Sequence, residues 1–393
     1  MSAVEKTVKL FDDTAYLMDF EAVVVSCEAR KTKEEETVYD VILDRTAFFP
    51  EQGGQSCDKG VLADLEVLYV GIEDDVVTHT LKAPLEVGTE VEGHVDVGHR
   101  FMNMQQHSAE HLFSGLAHTL FGCTNVGFHL SEREVTVDFD KALTEEDLRL
   151  LESGVNDVIT SNIKSEILYP TKEEEKTLDY RSKKEIAGQT RLVRYPGVDL
   201  CACCAPHVKR TGEIGLFKVV SFQNYKGGIR VWILAGKRAF DYMNARTEEM
   251  VSIARMMSTS TTEVAGKITA MQEDIRSLKA AAQKAEARVL ALTFAALPED
   301  EAVTVLFMAE ADSKAVRNAV TDRVAEKGGV TAVFIGSDET GYHYVLGASE
   351  GRTGALNKAL KDQCGARGGG KEIAEGNVSA TAEQLRAVVA AEA

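Results

Sequence analysis

The sequence lacks an apolar run long enough to cross a bilayer, and its N-terminus lacks the charged, apolar and small-residue succession of a secretory signal. It also lacks the cysteine pattern of a secreted disulfide framework, because its cysteines number seven and three of them cluster beside a histidine. We therefore expect a protein of the reducing cytoplasm that has no membrane partner.

Positive charge is scarce as well. The 393 residues carry 44 Lys and Arg against 62 Asp and Glu, for a net charge of −18. This balance argues against indiscriminate binding to nucleic acid, and we expect no DNA partner. Between residues 180 and 240 the balance reverses to twelve Lys or Arg, Arg230 among them, against three Asp or Glu. That segment suits a polyanion such as RNA, although a solvated surface is the simpler alternative.

Length and patterning predict a multidomain α+β protein. Residues 1–100 contain short β-branched or alternating segments between turn residues, which predict a small N-terminal β-barrel. Residues 101–240 predict an α+β domain that holds both halves of a metal site. Residues 241–297 predict a long coiled-coil-like helix, and residues 298–393 predict a C-terminal α/β domain with a glycine-rich loop.

The predicted long helix has the periodicity of a coiled coil. From Met257 to Leu292, apolar or small residues recur at alternating intervals of four and three, a period of 3.5 residues over five heptads. We expect one helix from about Asp241 to Leu292, with Pro298 beyond its end. The helix either packs against its own domain or forms a dimer seam, and we predict a homodimer through the C-terminal half.

Two histidines four residues apart are the first half of the candidate metal site. His107 and His111 lie in a segment with apolar residues at helical spacing and no Gly or Pro before Gly115. On a helix these positions share one face, so both imidazoles can bind one ion; ordinary core or surface histidines are the alternative. Glu110 also completes the H-x-x-E-H pattern of inverted zincin peptidases, in which the Glu is a general base and Glu185 would be a third ligand.

Three cysteines and a histidine within seven residues form the second half. Cys201, Cys203 and Cys204 precede His207, and Cys203 is the cysteine four residues before it. One thiolate and three imidazoles make a tetrahedral set that zinc accepts, so the sequence predicts a Zn²⁺ site. The predicted ligands are His107, His111, Cys203 and His207. The alternative is a buried cluster of cysteines that act as small hydrophobic residues.

Three motifs occur in the order and context of one known family. They are Thr46-Ala-Phe-Phe-Pro-Glu-Gln-Gly-Gly-Gln55, His107-x-x-x-His111, and Cys203-x-x-x-His207-Val followed by Thr211-Gly-Glu-Ile-Gly. Together they resemble the editing domain of alanyl-tRNA synthetases and the free-standing alanyl-tRNA editing proteins of the AlaX type, over nearly the whole chain. We expect no synthetase catalytic domain before residue 1, and on that expectation the chain resembles a free-standing editor of the long form.

The resemblance implies a zinc-dependent, ATP-independent hydrolase that cleaves the aminoacyl ester of mischarged tRNA(Ala). Its main substrate would be Ser-tRNA(Ala), with Gly-tRNA(Ala) as a second candidate. The resemblance also implies that Cys203 acts at the catalytic site and that Thr46 and Gln55 lie near the misattached amino acid. The Gly53-Gly54 pair allows a tight turn and a close approach to a ligand, although such a pair alone is usually a hairpin turn.

One segment departs from the family pattern. Between Cys203 and His207 the family usually has Gly-Gly-Thr, whereas this chain has Cys204-Ala-Pro206. The departure leaves open a protein that binds tRNA or zinc without hydrolysis. It is also open whether zinc activates a water or stabilises an oxyanion, or instead holds the substrate amino group while a water and the ribose hydroxyl act.

Residues 298–393 predict the order β-α-β-β-α, with the first helix over Ser313–Lys327, then a glycine-rich loop and a final helix. Arg367 and Lys371 frame the three consecutive glycines of that loop. Such a loop can contact phosphate, although Glu372 after the Lys excludes a Walker loop. The order of elements resembles the C-terminal domain that alanyl-tRNA synthetases share with DHH-type phosphoesterases, which implies RNA binding or dimerisation.

Overall fold

The computed structural model describes residues 6–182, 189–298 and 302–392. The chain divides into two compact units, one up to Met250 and the other from Val251 onward. Both units combine strands and helices, so the predicted α+β class is confirmed. None of the described helices is long and apolar enough to cross a membrane. The finer division into four domains stays a prediction.

The first unit is built mainly of strands. In chain order they are β1 (Val8–Lys9), β2 (Asp19–Lys31), β3 (Thr37–Leu43), β4 (Arg45–Thr46), β5 (Gly60–Leu62), β6 (Leu65–Glu66), β7 (Tyr69–Glu73), β8 (Val76–Leu81), β9 (Glu90–Val95), β10 (Asn125–Leu130), β11 (Val135–Phe139), β12 (Glu166–Leu168), β13 (Leu192–Tyr195), β14 (Asp199–Ala202), β15 (Phe217–Tyr225) and β16 (Gly228–Ala235). Its helices are α1 (Leu10–Asp13), α2 (Val97–Phe121), α3 (Glu145–Thr160) and α4 (Lys172–Glu175), and α5 (Gly236–Met256) crosses the boundary between the units at Met250. A 3₁₀ turn spans Thr211–Ile214.

Seven strands form a curled antiparallel sheet over the region predicted as a barrel, in the order β6-β5-β9-β2-β3-β8-β7. Its two edge strands are consecutive parts of one segment. Val67 donates its N–H to Gly60 O, while the next residue, Leu68, donates its N–H to Thr80 O. The segment that contains β6 and β7 therefore pairs with β5 through its first residues and with β8 through its later residues. This double pairing curls the sheet around an apolar core.

The helix α2 is the one predicted around His107 and His111. Asp96 caps its N-terminus by accepting a 2.9 Å hydrogen bond from His99 N, and Gly122 ends it in the left-handed conformation at φ 62°. Sixteen of its 25 residues are buried, so α2 runs through the interior of the unit rather than over its surface.

Two further antiparallel sheets pack around α2, with strand orders β10-β11-β16-β15 and β12-β13-β14. Gly115 allows α2 to approach β14 closely. A Cβ at this position would lie 2.6 Å from Val198 O and 2.8 Å from Asp199 Cβ, which is closer than real side chains come. The glycine thus brings the helix that carries two of the predicted ligands against the strand that leads to the other two.

A buried ion pair ties α2 to the segment that contains the predicted pocket residues. Arg100 donates through Nε to Asp58 Oδ2 at 2.9 Å, and both charged side chains are fully buried. Arg100 also donates to the carbonyls of Ala15 and Ala47. Asp58 in turn accepts from Phe49 N at 2.7 Å. Removing one partner of such a pair costs about 3–5 kcal/mol, because the other charge stays buried.

The second unit is built around one sheet. Its elements are α6 (Val264–Ala295), β17 (Val303–Met308), α7 (Ser313–Lys327), β18 (Val330–Ser337), β19 (Gly341–Ala348), a 3₁₀ turn (Ser349–Gly351), α8 (Thr353–Cys364), β20 (Arg367–Gly369), β21 (Ile373–Val378) and α9 (Ala382–Ala391). The strand order is β17-β18-β19-β21-β20, with β17 and β18 parallel and the other pairs antiparallel. The predicted order β-α-β-β-α is observed, and α7 has the predicted bounds.

The prediction of a glycine-rich loop after α8 was wrong. The segment is a hairpin in which β20 and β21 pair antiparallel. Gly368 is needed for this pairing, because a Cβ there would lie 2.2 Å from Glu375 O on the opposite strand. Consecutive glycines predict a loop, whereas here Gly368 and Gly369 lie in β20 and let two backbones come close together.

The prediction of a single helix over residues 241–292 was also wrong, because two helices occupy this stretch. The first, α5, ends at Met256 and is followed by Ser258, whose φ is +51°. Thr259 N donates to Ala254 O at 2.9 Å, which is the 6→1 bond of a Schellman cap. The apolar spacing continues across this break, so periodicity alone could not locate it.

The apolar stripe of α6 is largely exposed on the described chain. The exposed fractions lie between 42 and 67% for Ile268, Met271, Ile275, Leu278, Val289 and Leu292. Only Val264 and Leu290 of this helix are buried among the described residues. Pairing of the stripe with a second chain stays a prediction.

Candidate metal centre

Four side chains from two separate segments converge in the first unit. His107 and His111 lie one turn apart on α2, and Cys203 and His207 lie in the connection that follows β14. One ligand atom of each lies within 4.8 Å of the ligand atoms of the other three. The structure therefore brings the whole predicted ligand set together.

The spacing of these atoms suits a tetrahedral ion. Cys203 Sγ lies 3.5 Å from His107 Nε2 and 3.3 Å from His207 Nε2. Zinc–sulfur and zinc–nitrogen bonds of about 2.3 and 2.0 Å at a tetrahedral angle would separate the two ligand atoms by about 3.5 Å. The donor set of one thiolate and three imidazoles is also one that zinc accepts, so the residues fit the ion.

The outer nitrogens of two ligand histidines face groups that only accept hydrogen bonds. His107 Nδ1 lies 2.8 Å from Gln55 Oε1, and His111 Nδ1 lies 3.1 Å from Asp199 Oδ2. Because an amide oxygen cannot donate, His107 Nδ1 carries the proton, and its Nε2 keeps the lone pair with which an imidazole binds a metal. His111 Nδ1 meets Asp199 as an ion-pair contact, outside hydrogen-bond geometry in this structure.

The third ligand histidine is held by hydroxyl groups. His207 Nδ1 lies 3.0 Å from Ser108 Oγ and 3.4 Å from Tyr195 Oη. Ser108 Oγ also accepts from Val208 N at 3.2 Å. Burial lowers the pKa of His207 well below its ordinary value, so its imidazole stays neutral and able to bind a metal.

The three clustered cysteines occupy different places. Cys203 is the one in the four-ligand cluster, whereas the Cys201 thiol groups with His111 and Asp199. Cys204 Sγ lies 3.7 Å from the position that a Cβ on Gly53 would take. Burial raises the pKa of Cys201 to about 11 and that of Cys204 to about 12, so both remain thiols at neutral pH.

The segment that departs from the family pattern is held by a neighbouring arginine. Arg191 donates through Nη1 to Cys203 O at 2.8 Å and to Ala205 O at 3.1 Å. Ala205 itself is fully buried against Phe11 and Phe49. The altered residues thus form an ordered, packed connection that carries Cys203 into the cluster.

The Gly-Gly pair forms the turn that delivers Gln55. Gln52 and Gln55 exchange backbone hydrogen bonds of 3.2 and 3.1 Å, and Gly53 and Gly54 both have positive φ, at 66° and 84°, as a type I′ turn requires. A Cβ on Gly54 would lie 2.4 Å from Phe128 O in β10. The close approach of the turn to β10 therefore needs glycine, and it leaves the Gln55 amide beside His107.

Thr46 uses its hydroxyl inside the N-terminal sheet. It is fully buried, and its Oγ1 lies 2.9 Å from His79 Nε2 and accepts from Phe48 N at 3.1 Å. His79 Nδ1 lies 3.2 Å from Val41 O, which can only accept, so the proton is on Nδ1 and Thr46 donates to Nε2. The hydroxyl proton of Thr46, a predicted pocket residue, is thus already donated to His79.

Six of the ten Lys and Arg residues that the structure describes between positions 180 and 240 form ion pairs with acidic side chains. Arg230 donates to Asp138 at 2.6 and 2.7 Å and lies over the Tyr225 ring, with its guanidinium carbon 4.0 Å from the ring centroid. The other ion pairs of this segment are Lys218–Glu152, Lys237–Asp241, Arg181–Asp199, Arg194–Glu166 and Arg191–Asp12. The sequence balance therefore overstated the free positive charge. Arg367 and Lys371 are exposed in the second unit.

Glu110 is hydrogen-bonded to neighbouring polar side chains. Its buried carboxylate accepts from Ser114 Oγ at 2.7 Å and from Asn125 Nδ2. A general base needs to reach the attacking water, so this arrangement does not favour the peptidase interpretation. Glu185 lies outside the described residues.

Sequence reasoning missed the residues that hold the outer nitrogens of the ligands. Asp199 lies against His111 Nδ1, and Ser108 lies against His207 Nδ1, which Tyr195 Oη also approaches. The available signal was their closeness in sequence to the ligands, since Ser108 follows His107 directly and Asp199 begins the strand that leads to Cys203.

These features define a multidomain α+β protein with a candidate histidine–cysteine metal centre. Two family profiles match its sequence. The profile described as tRNA synthetases class II (A) matches residues 2–99, and the profile described as threonyl and alanyl tRNA synthetase second additional domain matches residues 190–231. The second match includes Cys203 and His207.

Individual relatives extend the match over more of the chain. The alanyl-tRNA editing protein Aarsd1 of Danio rerio is 28% identical over 276 residues, which cover 67% of this chain and 67% of that protein. The corresponding protein of Bos taurus is 30% identical over 248 residues, 58% of this chain and 54% of that protein. The alanine–tRNA ligase of Coxiella burnetii (strain Dugway 5J108-111) is 29% identical over 381 residues, 89% of this chain and 43% of the ligase. The resemblance to alanyl-tRNA editing proteins and alanyl-tRNA synthetases is therefore confirmed.

Proposed function

We propose that this chain is a cytoplasmic, zinc-dependent trans-editing deacylase that hydrolyses the aminoacyl ester of mischarged tRNA(Ala). The observation that carries the proposal is the convergence of a complete ligand set in a chain related to alanyl-tRNA editing proteins. The ligands are His107, His111, Cys203 and His207. Cys203 serves as the ion-binding thiolate.

Hydrolysis of an ester needs a positioned water and stabilisation of the developing oxyanion. A bound zinc ion supplies a Lewis acid for one of these tasks. The contribution of the chain is to align the ligands, through Gln55 on His107, Asp199 on His111 and Ser108 on His207.

Gln55 has a donor left for the substrate. Its Oε1 faces His107 Nδ1, so its Nε2 is turned away from that ring. This Nε2 is buried, and it has no hydrogen-bond partner within the described part of the chain. An unpaired buried N–H is costly, which suits a group that becomes bonded when a ligand arrives. We assign it to an oxygen of the aminoacyl ester.

The misattached amino acid is serine in the main proposed substrate, with glycine as the second. Serine differs from alanine by one hydroxyl, which a synthetic site rejects poorly, and hydrolysis at a separate site is a known remedy. Because Thr46 donates its proton to His79, it is proposed as an acceptor for the substrate hydroxyl. Gly53 and Gly54 would let the turn lie close to the ester.

The contacts to RNA and to a second chain are proposed from exposed groups. Arg367, at the start of β20, and Lys371, in the turn before β21, are exposed and are proposed to bind phosphate. Arg230, already paired with Asp138, is assigned a weaker contact through its stacked face. The exposed apolar stripe of α6 is proposed to pair two chains in a homodimer.

Release of labelled serine from Ser-tRNA(Ala) tests the proposal, with Ala-tRNA(Ala) as the control substrate. We expect the unmodified chain to release serine and to spare alanine. Cys203→Ala should reduce release to the spontaneous rate, whereas Cys204→Ala removes an adjacent thiol outside the ligand set and should retain most of the activity. If the chain binds Ser-tRNA(Ala) and protects the ester, it is a binding protein and the hydrolase proposal is wrong.

A further inference from the structure

We propose that Asp199, held in place by Arg181, is the positioning residue that orients His111 in the metal centre. The inference rests on the proposed metal site and adds to it an outer carboxylate that sets one ligand. Asp199 begins β14 and its side chain is 2% exposed, as is that of His111. Its Oδ2 lies 3.1 Å from His111 Nδ1.

The carboxylate itself is held at both oxygens. Arg181 donates through Nε to Asp199 Oδ1 at 2.7 Å and through Nη2 to Oδ2 at 2.8 Å. The backbone of Arg181 is also fixed, because its N–H donates to Leu200 O at 2.8 Å and its carbonyl accepts from Ala202 N at 2.9 Å. A bidentate partner attached to the same strand leaves the Asp199 carboxylate a single orientation.

The Asp199–Arg181 pair also has no net charge. Asp199 forms a bidentate ion pair with Arg181, the geometry in which an arginine binds a carboxylate. The guanidinium of Arg181 neutralises the charge of that carboxylate. The outer partners of the other two ligand histidines, the Gln55 amide and the Ser108 hydroxyl, are neutral. The pair therefore gives His111 a direction without adding net charge beside the thiolate.

A second cation site is the other interpretation of this group, since His111, Asp199 and Cys201 also bring three ligand atoms within 4.8 Å. Both oxygens of Asp199 are bonded to Arg181, which already supplies the positive charge. The geometry thus favours an orienting carboxylate over a second ion.

Zinc affinity of the full chain, measured by competition with a chromophoric chelator, tests the inference. Asp199→Asn keeps the shape of the side chain but removes the charge and one acceptor oxygen. We expect its zinc affinity to fall by about 10- to 100-fold, the effect that loss of an outer partner commonly has. The matched control is Asp138→Asn, which breaks a similar bidentate pair with Arg230 outside the centre and should leave zinc affinity unchanged.

The visible spectrum of the Co²⁺-loaded protein gives a readout that a merely structural brace would not change. Its bands should shift in Asp199→Asn and stay unchanged in Asp138→Asn. Unaltered zinc affinity and spectrum in Asp199→Asn would overturn the inference. If Asp199→Asn does not fold, Arg181→Lys decides instead, because it keeps the charge but loosens the carboxylate; wild-type affinity there would also overturn it. Failure of the unmodified chain to bind zinc would instead refute the metal site itself.

Discussion

Two buried histidines in the first unit, His79 in the N-terminal sheet and His107 in the metal centre, differ in what their ring nitrogens contact. In His79 both nitrogens are bonded within the fold, Nδ1 to Val41 O and Nε2 to the Thr46 hydroxyl. In His107, Nδ1 faces the Gln55 amide, while Nε2 lies 3.5 Å from Cys203 Sγ. The first ring is bonded to ordinary groups of the fold, whereas the second ring faces another potential metal ligand.

The difference shows how a structural histidine can be told from a ligand histidine. Burial does not separate them, since His79 is 0% and His107 is 3% exposed. The partner of the second nitrogen does, because an acceptor-only group on Nδ1 leaves Nε2 as a lone pair that must be used. In His79 the Nε2 lone pair accepts the hydroxyl proton of Thr46, whereas the neighbours of Nε2 in His107 are other potential metal ligands.

The largest expected effect comes from replacing His107 and His79, one at a time, with glutamine. His107→Gln removes one of four proposed ligands and should weaken zinc binding by at least about 100-fold. His79→Gln should leave zinc affinity unchanged and lower the free energy of unfolding by about 1–3 kcal/mol, because a buried hydrogen-bonded group is disturbed. Chelator competition and denaturant unfolding measure the two quantities. Equal loss of zinc in both variants would remove the distinction.

A second prediction concerns Arg100, which links the helix of the candidate metal centre to the N-terminal sheet. Arg100 on α2 bonds Asp58 and the carbonyl of Ala47, and so connects the helix of His107 to the segment that carries Thr46. Arg100→Met should lower the free energy of unfolding by about 3–5 kcal/mol, because Asp58 is left buried and unpaired. The double variant Arg100→Met with Asp58→Leu should recover part of that loss. No recovery would mean that the pair does not account for the effect.

The pH dependence of stability should also reflect His79. Burial lowers its pKa from the ordinary 6.5 to about 4, so between these values the unfolded chain binds a proton that the folded chain does not. The contribution of His79 is fully present above pH 6.5 and falls by about 3 kcal/mol as the pH drops toward 4. Denaturant unfolding between these pH values should show this slope in the unmodified chain and a smaller slope in His79→Gln. His94→Gln, at an exposed histidine beside Asp19, should keep the full slope.

Local sequence was enough to predict the parts of the site that depend on short-range spacing. The ligand positions on α2 and in the Cys203–His207 connection follow from intervals of four residues, and the bounds of α7 follow from its capping Asp312 and terminal Gly328. The contact between Gln55 and His107 could not be predicted from spacing, because it joins residues 52 positions apart. The end of α5 at Met256 carries neither Gly nor Pro, and the run of Ser and Thr over residues 258–262 was the local signal that the continuing apolar period concealed.

The smallest predicted effect tests the outer nitrogen of His107 alone. Gln55→Leu removes the acceptor on Nδ1 and also the buried Nε2 that has no partner within the described chain. Zinc affinity should fall by about 10-fold, at the low end for loss of an outer partner, because a neutral amide orients the ring more weakly than a charged carboxylate does. The free energy of unfolding should change little, since the lost hydrogen bond is offset by the removal of an unpaired donor. Gln52→Leu, at the exposed opposite end of the same turn, is the control and should bind zinc like the unmodified chain. If Gln55→Leu does so too, the outer contact does not prepare His107 for a metal, and the contrast with His79 depends on position in the fold rather than on tautomer.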